Sequence, residues 1–113
     1  MSTAGGGGTC PAGFTRVTDE YCIETNPHGT DTVENAMLAC KVINSHVCGF
    51  QEMIQANGVS GLTGTSTGEM AADFWVWSGV DSHAFYMITI STRAITNVAL
   101  SYNPYQYRCC VNL

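Results

Sequence analysis

Residues 105–111 read YQYRCCV, a β-prone stretch that contains two adjacent cysteines, Cys109 and Cys110. Successive side chains of a β-strand point to opposite faces of its sheet. The two sulfur atoms should therefore bond to different partners, one on each side of this strand. The stretch predicts a domain in which the last strand is held from both faces.

Four more cysteines precede this pair, which gives six in a chain of 113 residues: Cys10, Cys22, Cys40, Cys48, Cys109 and Cys110. An even count in a short chain is typical of a disulfide framework in an extracellular protein, whereas the alternative is six reduced thiols in a cytosolic one. Zinc sites use cysteine pairs with two to four residues between them, and no pair here has that spacing. Spacing alone does not choose among the 15 pairings that six cysteines allow.

The composition is poor in charge. Charged residues make up 12% of the chain, against the usual ~25%. A surface built from uncharged polar residues and glycine suits extracellular proteins, fibres and packed assemblies. The net charge of −5 and the lack of a basic cluster exclude nucleic acid as an expected partner. No apolar run approaches the ~20 residues of a membrane span, so we expect no membrane insertion.

The chain divides into a glycine-rich arm, residues 1–9, and one domain, residues 10–113. The arm has neither the basic start nor the apolar run of a signal peptide. We therefore expect a piece of a longer protein, a virion component made in the cytoplasm, or a protein exported by another route.

Two helices are predicted between residues 31 and 57. For the first, Asp31 and Glu34 match a capping box, and an apolar face recurs at spacings of three and four. Its expected inward residues are Val33, Ala36, Met37, Cys40 and Ile43. The second helix starts near Gly49 and ends at Asn57-Gly58, and its expected inward residues are Phe50, Met53, Ile54 and Ala56.

Strands and loops are predicted for the rest of the domain. Residues 10–24 alternate like a hairpin, residues 25–31 read as a loop, and residues 57–70 read as a long surface loop rich in Gly, Ser and Thr. Strands are expected at residues 74–77, 84–90 and 105–111. Trp75 and Trp77 are expected to fill the core.

Several motifs in this order resemble one fold family. They are CPAGF at residues 10–14 followed by Cys22, a helix with Ala36 and Cys40, HVC at 46–48, QEM at 51–53, WVWS at 75–78 and YRCC at 107–110. Over about residues 10–111 the chain resembles C-type lectin-like domains. It is most similar to their bacterial and phage branch, which includes formylglycine-generating-enzyme-like modules, variable receptor-binding proteins of phages, and heads of collagen-like fibres.

The resemblance implies the fold and the disulfides. The implied fold is α+β, with two helices packed on small antiparallel sheets and a long loop region on one side. The implied bridges join Cys10 to Cys22, Cys40 to Cys109 or Cys110, and Cys48 to whichever of the two remains.

The resemblance brings no calcium motif, because the EPN, QPD and WND triplets of sugar-binding C-type lectins are missing from the sequence. We therefore expect no cofactor. A calcium ion, if bound, would use Asp73, Asp81 or Glu69.

The three histidines show no metal spacing: His46 is expected at a helix end or in the core, and His28 and His83 in loops. Aromatic rings that carry a polar group are common binding anchors, and the expected ligand-binding residues are Tyr86, Tyr102, Asn103, Tyr105, Asp81 and His83.

Two functions follow as expectations. The first is a non-enzymatic adhesion domain at the head of a surface or phage tail fibre, which binds a cell-surface glycan or protein receptor. The second is a structural subunit of a filament or virion that packs against copies of itself, as a trimer or a filament. We expect no enzyme, because the cysteines are taken by disulfides and no motif places a serine for attack. The expected location is extracellular, on a cell surface or on a virion.

Overall fold

The computed structural model describes residues 9–77, 83–100 and 105–113. Within these residues lie two helices and nine strands: β1 (Phe14–Thr18), β2 (Tyr21–Glu24), β3 (His28–Asp31), α1 (Val33–Val42), β4 (His46–Val47), α2 (Phe50–Gln55), β5 (Glu69–Trp77), β6 (His83–Thr89), β7 (Ala94–Leu100), β8 (Tyr105–Tyr107) and β9 (Cys109–Asn112). The strands form three small antiparallel sheets. The predicted α+β class, with two helices and small antiparallel sheets, is confirmed.

The first sheet joins the two ends of the domain in the order β1-β2-β9-β4. The predicted hairpin at residues 10–24 is present as β1 and β2, and β9 pairs with β2 through Ile23 opposite Cys110. On its other edge β9 pairs with β4, where Val47 lies opposite Cys109. The strand that carries the adjacent cysteines is therefore central in its sheet.

The prediction of one continuous strand at residues 105–111 is wrong, because the strand is interrupted at Arg108. Residues before the break, in β8, pair with β3 in a separate two-stranded sheet, and residues after it belong to the first sheet. The loop expected at residues 25–31 accordingly contains a strand, β3. Its sequence HGTD lacks an apolar alternation, so only pairing with β8 makes it a strand.

Helix α1 differs from its prediction at the amino end and on its apolar face. The N-cap is Thr32, whose hydroxyl accepts from Asn35 N at 3.4 Å, and not Asp31. Asp31 instead accepts from Thr32 N and from Asn35 Nδ2, both at 2.9 Å. Three of the five expected inward residues are buried, whereas two are exposed: the buried ones are Val33, Ala36 and Cys40, and the exposed ones are Met37 and Ile43.

Helix α2 follows its prediction. Gly49 is the N-cap, and its N–H donates to Glu52 Oε1 at 2.8 Å. Met53 and Ala56 are buried, and Phe50 and Ile54 pack against the same core cluster.

The third sheet, in the order β5-β6-β7, is larger than predicted. Strand β5 begins at Glu69, inside the segment 57–70 that was expected to be loop from its Gly, Ser and Thr content. Strand β7, which follows a turn with Arg93 at φ 59°, was not predicted. The strand expected at residues 74–77 lies in β5, and the one expected at 84–90 corresponds to β6, which ends at Thr89.

Three disulfides connect these elements: Cys10–Cys22, Cys40–Cys109 and Cys48–Cys110. They agree with the pairing that the resemblance implies, and the structure assigns Cys109 to Cys40. Cys110 and Cys48 lie in one core cluster and Cys109 and Cys40 in another. The adjacent cysteines thus face opposite sides of β9 and connect it to two separate parts of the core.

Candidate functional site

A buried ion pair lies where the long loop meets the end of β8. Arg108 Nε donates to Glu69 Oε1 at 2.9 Å and to Oε2 at 3.0 Å, and both side chains are 0% exposed. Burial raises the pKa of the Glu69 carboxyl to about 7, although the charge and hydrogen bonds of Arg108 act in the opposite direction. Because neither side chain reaches solvent, this pair braces the fold and cannot touch a substrate.

The remaining donors of Arg108 bind backbone carbonyls from two loops. Nη1 donates to Glu24 O and Thr25 O, each at 2.9 Å, and Nη2 donates to Thr63 O. A planar guanidinium presents its donors in a fixed fork, so it sets the positions of all its acceptors together. Arg108 therefore fixes the connection after β2 and the long loop against the start of β5.

The sequence prediction missed this arrangement. The signal was present: Arg108 is the one charged residue in an apolar, aromatic stretch, and such a position is typical of a buried and paired arginine. The partner could not be read from the sequence, because Glu69 is 39 residues away and sits in a segment that reads as loop. Glu69 was a candidate calcium ligand, and its pairing with Arg108 contradicts that role.

An open groove of about 450 Å³ lies between the end of α2, the long loop and the turn after β6. Asn57 Nδ2 donates to Ile90 O at 2.9 Å and to Ser91 O at 3.0 Å, and Ser91 N donates to Thr65 O at 2.9 Å. These bonds hold the three segments in place. The lining is uncharged in the described residues, and its side chains include Asn57, Thr65, Ser91, Val59, Leu62 and Ile90.

A second surface is the outer face of α1, which carries large apolar side chains. Leu38 is 62% exposed and Val42 is 81% exposed, and Met37 and Ile43 beside them are 42% and 48% exposed. A smaller groove of about 270 Å³ adjoins this face, lined by Met37, Lys41, Ser45, His46 and Val47. Contiguous apolar groups on a surface are characteristic of an interaction site. We call Glu34, Met37, Leu38, Lys41 and Val42 the outer face of α1.

The expected ligand-binding residues are placed only in part. Tyr105 pairs with Asp31 at the start of β8 and packs, partly buried, against a core cluster. The backbones of His83 and Tyr86 lie in β6, and His83 therefore is not in the expected loop. Three of the expected residues lie outside the described residues: Asp81, Tyr102 and Asn103. The side chains of His83, Tyr86, Asp73, Trp75 and Trp77 also lie outside the described part of the structure.

The other two histidines pair with carboxylates. His28 is in β3 and not in a loop: its Nε2 lies 2.7 Å from Glu24 Oε1, and its ring stacks on Tyr107 with the ring centres 4.5 Å apart. His46 is in β4, exposed, with Nε2 2.9 Å from Glu52 Oε2, and is neither in the core nor at a helix end.

Two groups of potential metal ligands occur in the described residues, and both depend on cysteines. The first contains Glu24, His28 and Cys109, and the second contains Glu52 with Cys48 and Cys110. The thiolate is the form of cysteine that binds metals, and all three cysteines are in disulfides. Neither group is therefore a metal site in the oxidised protein.

No known protein-family model matches the chain, and no curated protein matches its sequence. The resemblance to C-type lectin-like domains thus stays a prediction. None of the helices in the described residues is long and apolar enough to cross a membrane. Three disulfides in a small α+β domain of this kind are compatible with an extracellular location.

Proposed function

We propose that this domain is a non-enzymatic recognition module that works outside the cell, on a cell surface or a virion, and binds an uncharged glycan. The observation that carries the proposal is the groove beside Asn57. Its volume of about 450 Å³ lies within the usual ~300–1,000 Å³ of small-ligand sites.

The chemistry of the groove fits a sugar ring. Thr65 and Ser91 offer hydroxyl groups that can donate to and accept from sugar hydroxyls. Asn57 offers its Oδ1 as an acceptor, because its Nδ2 already donates to Ile90 O and Ser91 O. Leu62 and Val59, both partly exposed, offer an aliphatic surface for the C–H groups of the same ring. With no charged side chain among the described lining residues, a neutral ligand is favoured over an anionic or cationic one.

The groove is also held rigid before any ligand arrives. Asn57 ties the end of α2 to the turn at residues 90–91, and Arg108 ties the long loop to β5 through Thr63. A preformed site loses less conformational freedom on binding. Three disulfides make such a scaffold robust outside the cell.

The test is binding of the whole chain to an array of neutral and acidic glycans. We expect retention on neutral glycans, lost in Ser91→Trp, whose indole fills the groove. Ser60→Trp is the matched control, since Ser60 is an exposed serine of the long loop at residues 57–70 that does not line the groove. Equal binding by both variants, binding confined to acidic glycans, or no binding at all would reject the proposal.

A structural subunit that packs against copies of itself is the second candidate function. The exposed apolar residues on α1 support it, because a receptor-binding groove on the other helix gives them no role. This candidate needs its own test, which follows from the charges on the same helix.

A further inference from the structure

We infer that the outer face of α1 is a self-association surface, on which a second copy of the chain docks its own α1 antiparallel about a two-fold axis. This inference rests on the second candidate function and is independent of the groove beside Asn57. The two can therefore fail separately.

The first argument is that α1 is apolar on both sides. Val33, Ala36 and Cys40 face the core, yet Leu38 and Val42 on the opposite side are mostly exposed. A surface helix of a globular protein typically turns charged and polar residues away from the core, so two large apolar side chains on the outward side are unusual. In a chain with so few charged residues, this exposed face needs a partner to cover it.

The second argument is the charge pattern, which selects the partner. Glu34 lies in the first turn of α1 and Lys41 in the last, and Leu38 lies between them. Spacings of four and seven residues place all three on one stripe, since the helix has 3.6 residues per turn. Neither Glu34 nor Lys41 is in an ion pair within the described part of the chain.

An antiparallel copy matches this stripe at every position. The midpoint of residues 34 and 41 falls beside Met37 and Leu38, so a two-fold axis there places Glu34 opposite Lys41 of the second copy, twice. Leu38 then lies opposite Met37 of the second copy, and Met37 lies opposite Leu38 of that copy, which is the reciprocal pattern of an isologous contact. A parallel copy would instead place Glu34 on Glu34 and Lys41 on Lys41.

The contact is small, so the expected affinity is low. A helix of ten residues is about 15 Å long, which gives less than the ~800 Å² per partner of a standard interface. Such a surface suits reversible association, or one of several contacts in a larger assembly. The test must therefore reach high protein concentrations.

The test is sedimentation velocity on the whole chain from about 10 μM to about 1 mM, the range in which a contact of this size would form. We expect a reversible monomer–dimer equilibrium that Leu38→Glu abolishes. Glu34→Lys and Lys41→Glu should each weaken dimerisation about tenfold or more, because each places like charges opposite one another twice.

Mixing the two single variants gives the decisive result. Each variant repels itself, but a mixed dimer would pair lysines on one copy with glutamates on the other and should form at least as well as the wild type. The double variant Glu34→Lys/Lys41→Glu should also dimerise, because it restores both opposite-charge pairs. In a parallel arrangement the single variants would only exchange one like-charge pair for another, and they would not weaken association. Circular dichroism of every variant checks that the fold is intact.

A matched control is Glu20→Lys, which makes the same charge change at an exposed residue off the helix and should dimerise as the wild type does. A wild-type chain that stays monomeric to about 1 mM, a trimer, association that survives Leu38→Glu, or single variants that do not complement each other would each overturn the inference.

Discussion

Arg108 and Glu69 form an ion pair with no solvent contact, in which one guanidinium N–H is shared by both carboxylate oxygens. The same guanidinium donates to the carbonyls of Glu24, Thr25 and Thr63. The pair thus joins three parts of the chain that are far apart in sequence. Removal of the pair should therefore lower the stability of the domain.

The first prediction concerns this pair. Arg108→Met leaves Glu69 buried and unpaired, and Glu69→Leu leaves Arg108 in the same state, so each should lower the free energy of unfolding by about 3–5 kcal/mol. The double variant should lose less than the sum of the two, because no charge is left buried alone. Urea denaturation with the disulfides intact measures all three.

A conservative variant tests whether the positive charge of Arg108 is sufficient or whether the N–H donors of its guanidinium are also needed. Arg108→Lys keeps the charge but cannot reach Glu69 and the loop carbonyls together. It should destabilise the domain nearly as much as Arg108→Met. Additive losses in the double variant, or single losses below about 1 kcal/mol, would contradict the role assigned to the pair.

The second prediction concerns Glu52, which accepts from Gly49 N at the start of α2 and pairs with His46. Burial alone would raise the pKa of Glu52, but the hydrogen bonds from His46 and Gly49 N and the charge of His46 hold it below its usual value of 4.5. A carboxyl with a lowered folded pKa contributes stability above its unfolded pKa, and that contribution is lost as pH falls through the folded pKa.

The matching variant is Glu52→Gln, which keeps an acceptor for Gly49 N but has no charge. At pH 7 the wild type should be more stable by on the order of 1 kcal/mol. The difference should shrink as the pH falls below 4.5 and vanish once the pH is below the lowered pKa of Glu52 in the folded protein. Thermal unfolding across this range measures it. Glu20→Gln, on an exposed residue, is the matched control for the substitution itself. A constant difference for Glu52→Gln would show that charge is not involved.

The third prediction concerns Gly64, which lies against Pro27. A Cβ at residue 64 would approach Pro27 Cγ to 2.7 Å, and the φ of 64° is also unfavourable for residues other than glycine. Gly64→Ala should therefore cost about 2 kcal/mol. Gly58→Ala is the control, because Gly58 has φ 86° with nothing within 4 Å of the added carbon, and it should cost only about 1 kcal/mol.

A double variant identifies the source of the difference. Pro27→Ala removes the ring that the new methyl group would meet, so Pro27→Ala/Gly64→Ala should recover the part of the loss that exceeds the control. If Gly58→Ala costs as much as Gly64→Ala in denaturant unfolding, the contact with Pro27 has no measurable effect.

The fourth prediction concerns the two disulfides of β9. The pair Cys40→Ser/Cys109→Ser removes one bridge and should leave no free thiol, because Cys48 and Cys110 stay bonded. The crossed pair Cys40→Ser/Cys110→Ser leaves Cys48 and Cys109 on opposite sides of β9 and should show two reactive thiols. Thiol titration of the unfolded, unreduced proteins reports the counts, and the reverse pattern would exchange the assignments of Cys109 and Cys110.

The free energy of unfolding of the variants that lack one bridge is a second test. The two bridges close loops of similar length, with sequence separations of 69 and 62 residues. In the chain-entropy model each then contributes on the order of 4 kcal/mol, so removing either matched pair should cost about the same. A large difference would mean that one of the two core clusters depends on its bridge for packing as well as for chain entropy.

Prediction from the sequence succeeded where a local pattern was sufficient. The hairpin of β1 and β2, the start of α2 at Gly49 and the inward side of α2 follow from turn residues and from helical spacing. The opposite directions of Cys109 and Cys110 follow from the geometry of one strand. In each case the information lies within a few residues of the feature itself.

Prediction failed where a distant partner decides the outcome. Strand β3 forms because β8 lies beside it, and Glu69 is buried because Arg108 reaches it. Met37 and Ile43 have the spacing of core residues, yet the buried residues of α1 are Val33, Ala36 and Cys40, all with small or branched side chains. Helical periodicity shows which residues share a face but not how wide the covered part of that face is.

The sequence by itself determined the number of cysteines, the low charge and the local elements, because these depend on composition and on short-range geometry. Only the tertiary structure decided which cysteine of the pair at 109 and 110 meets Cys40, that Arg108 breaks the last strand to hold Glu69, and that α1 leaves Leu38 and Val42 exposed. The physical reason is that burial and pairing depend on which distant segments meet, and local spacing does not specify that.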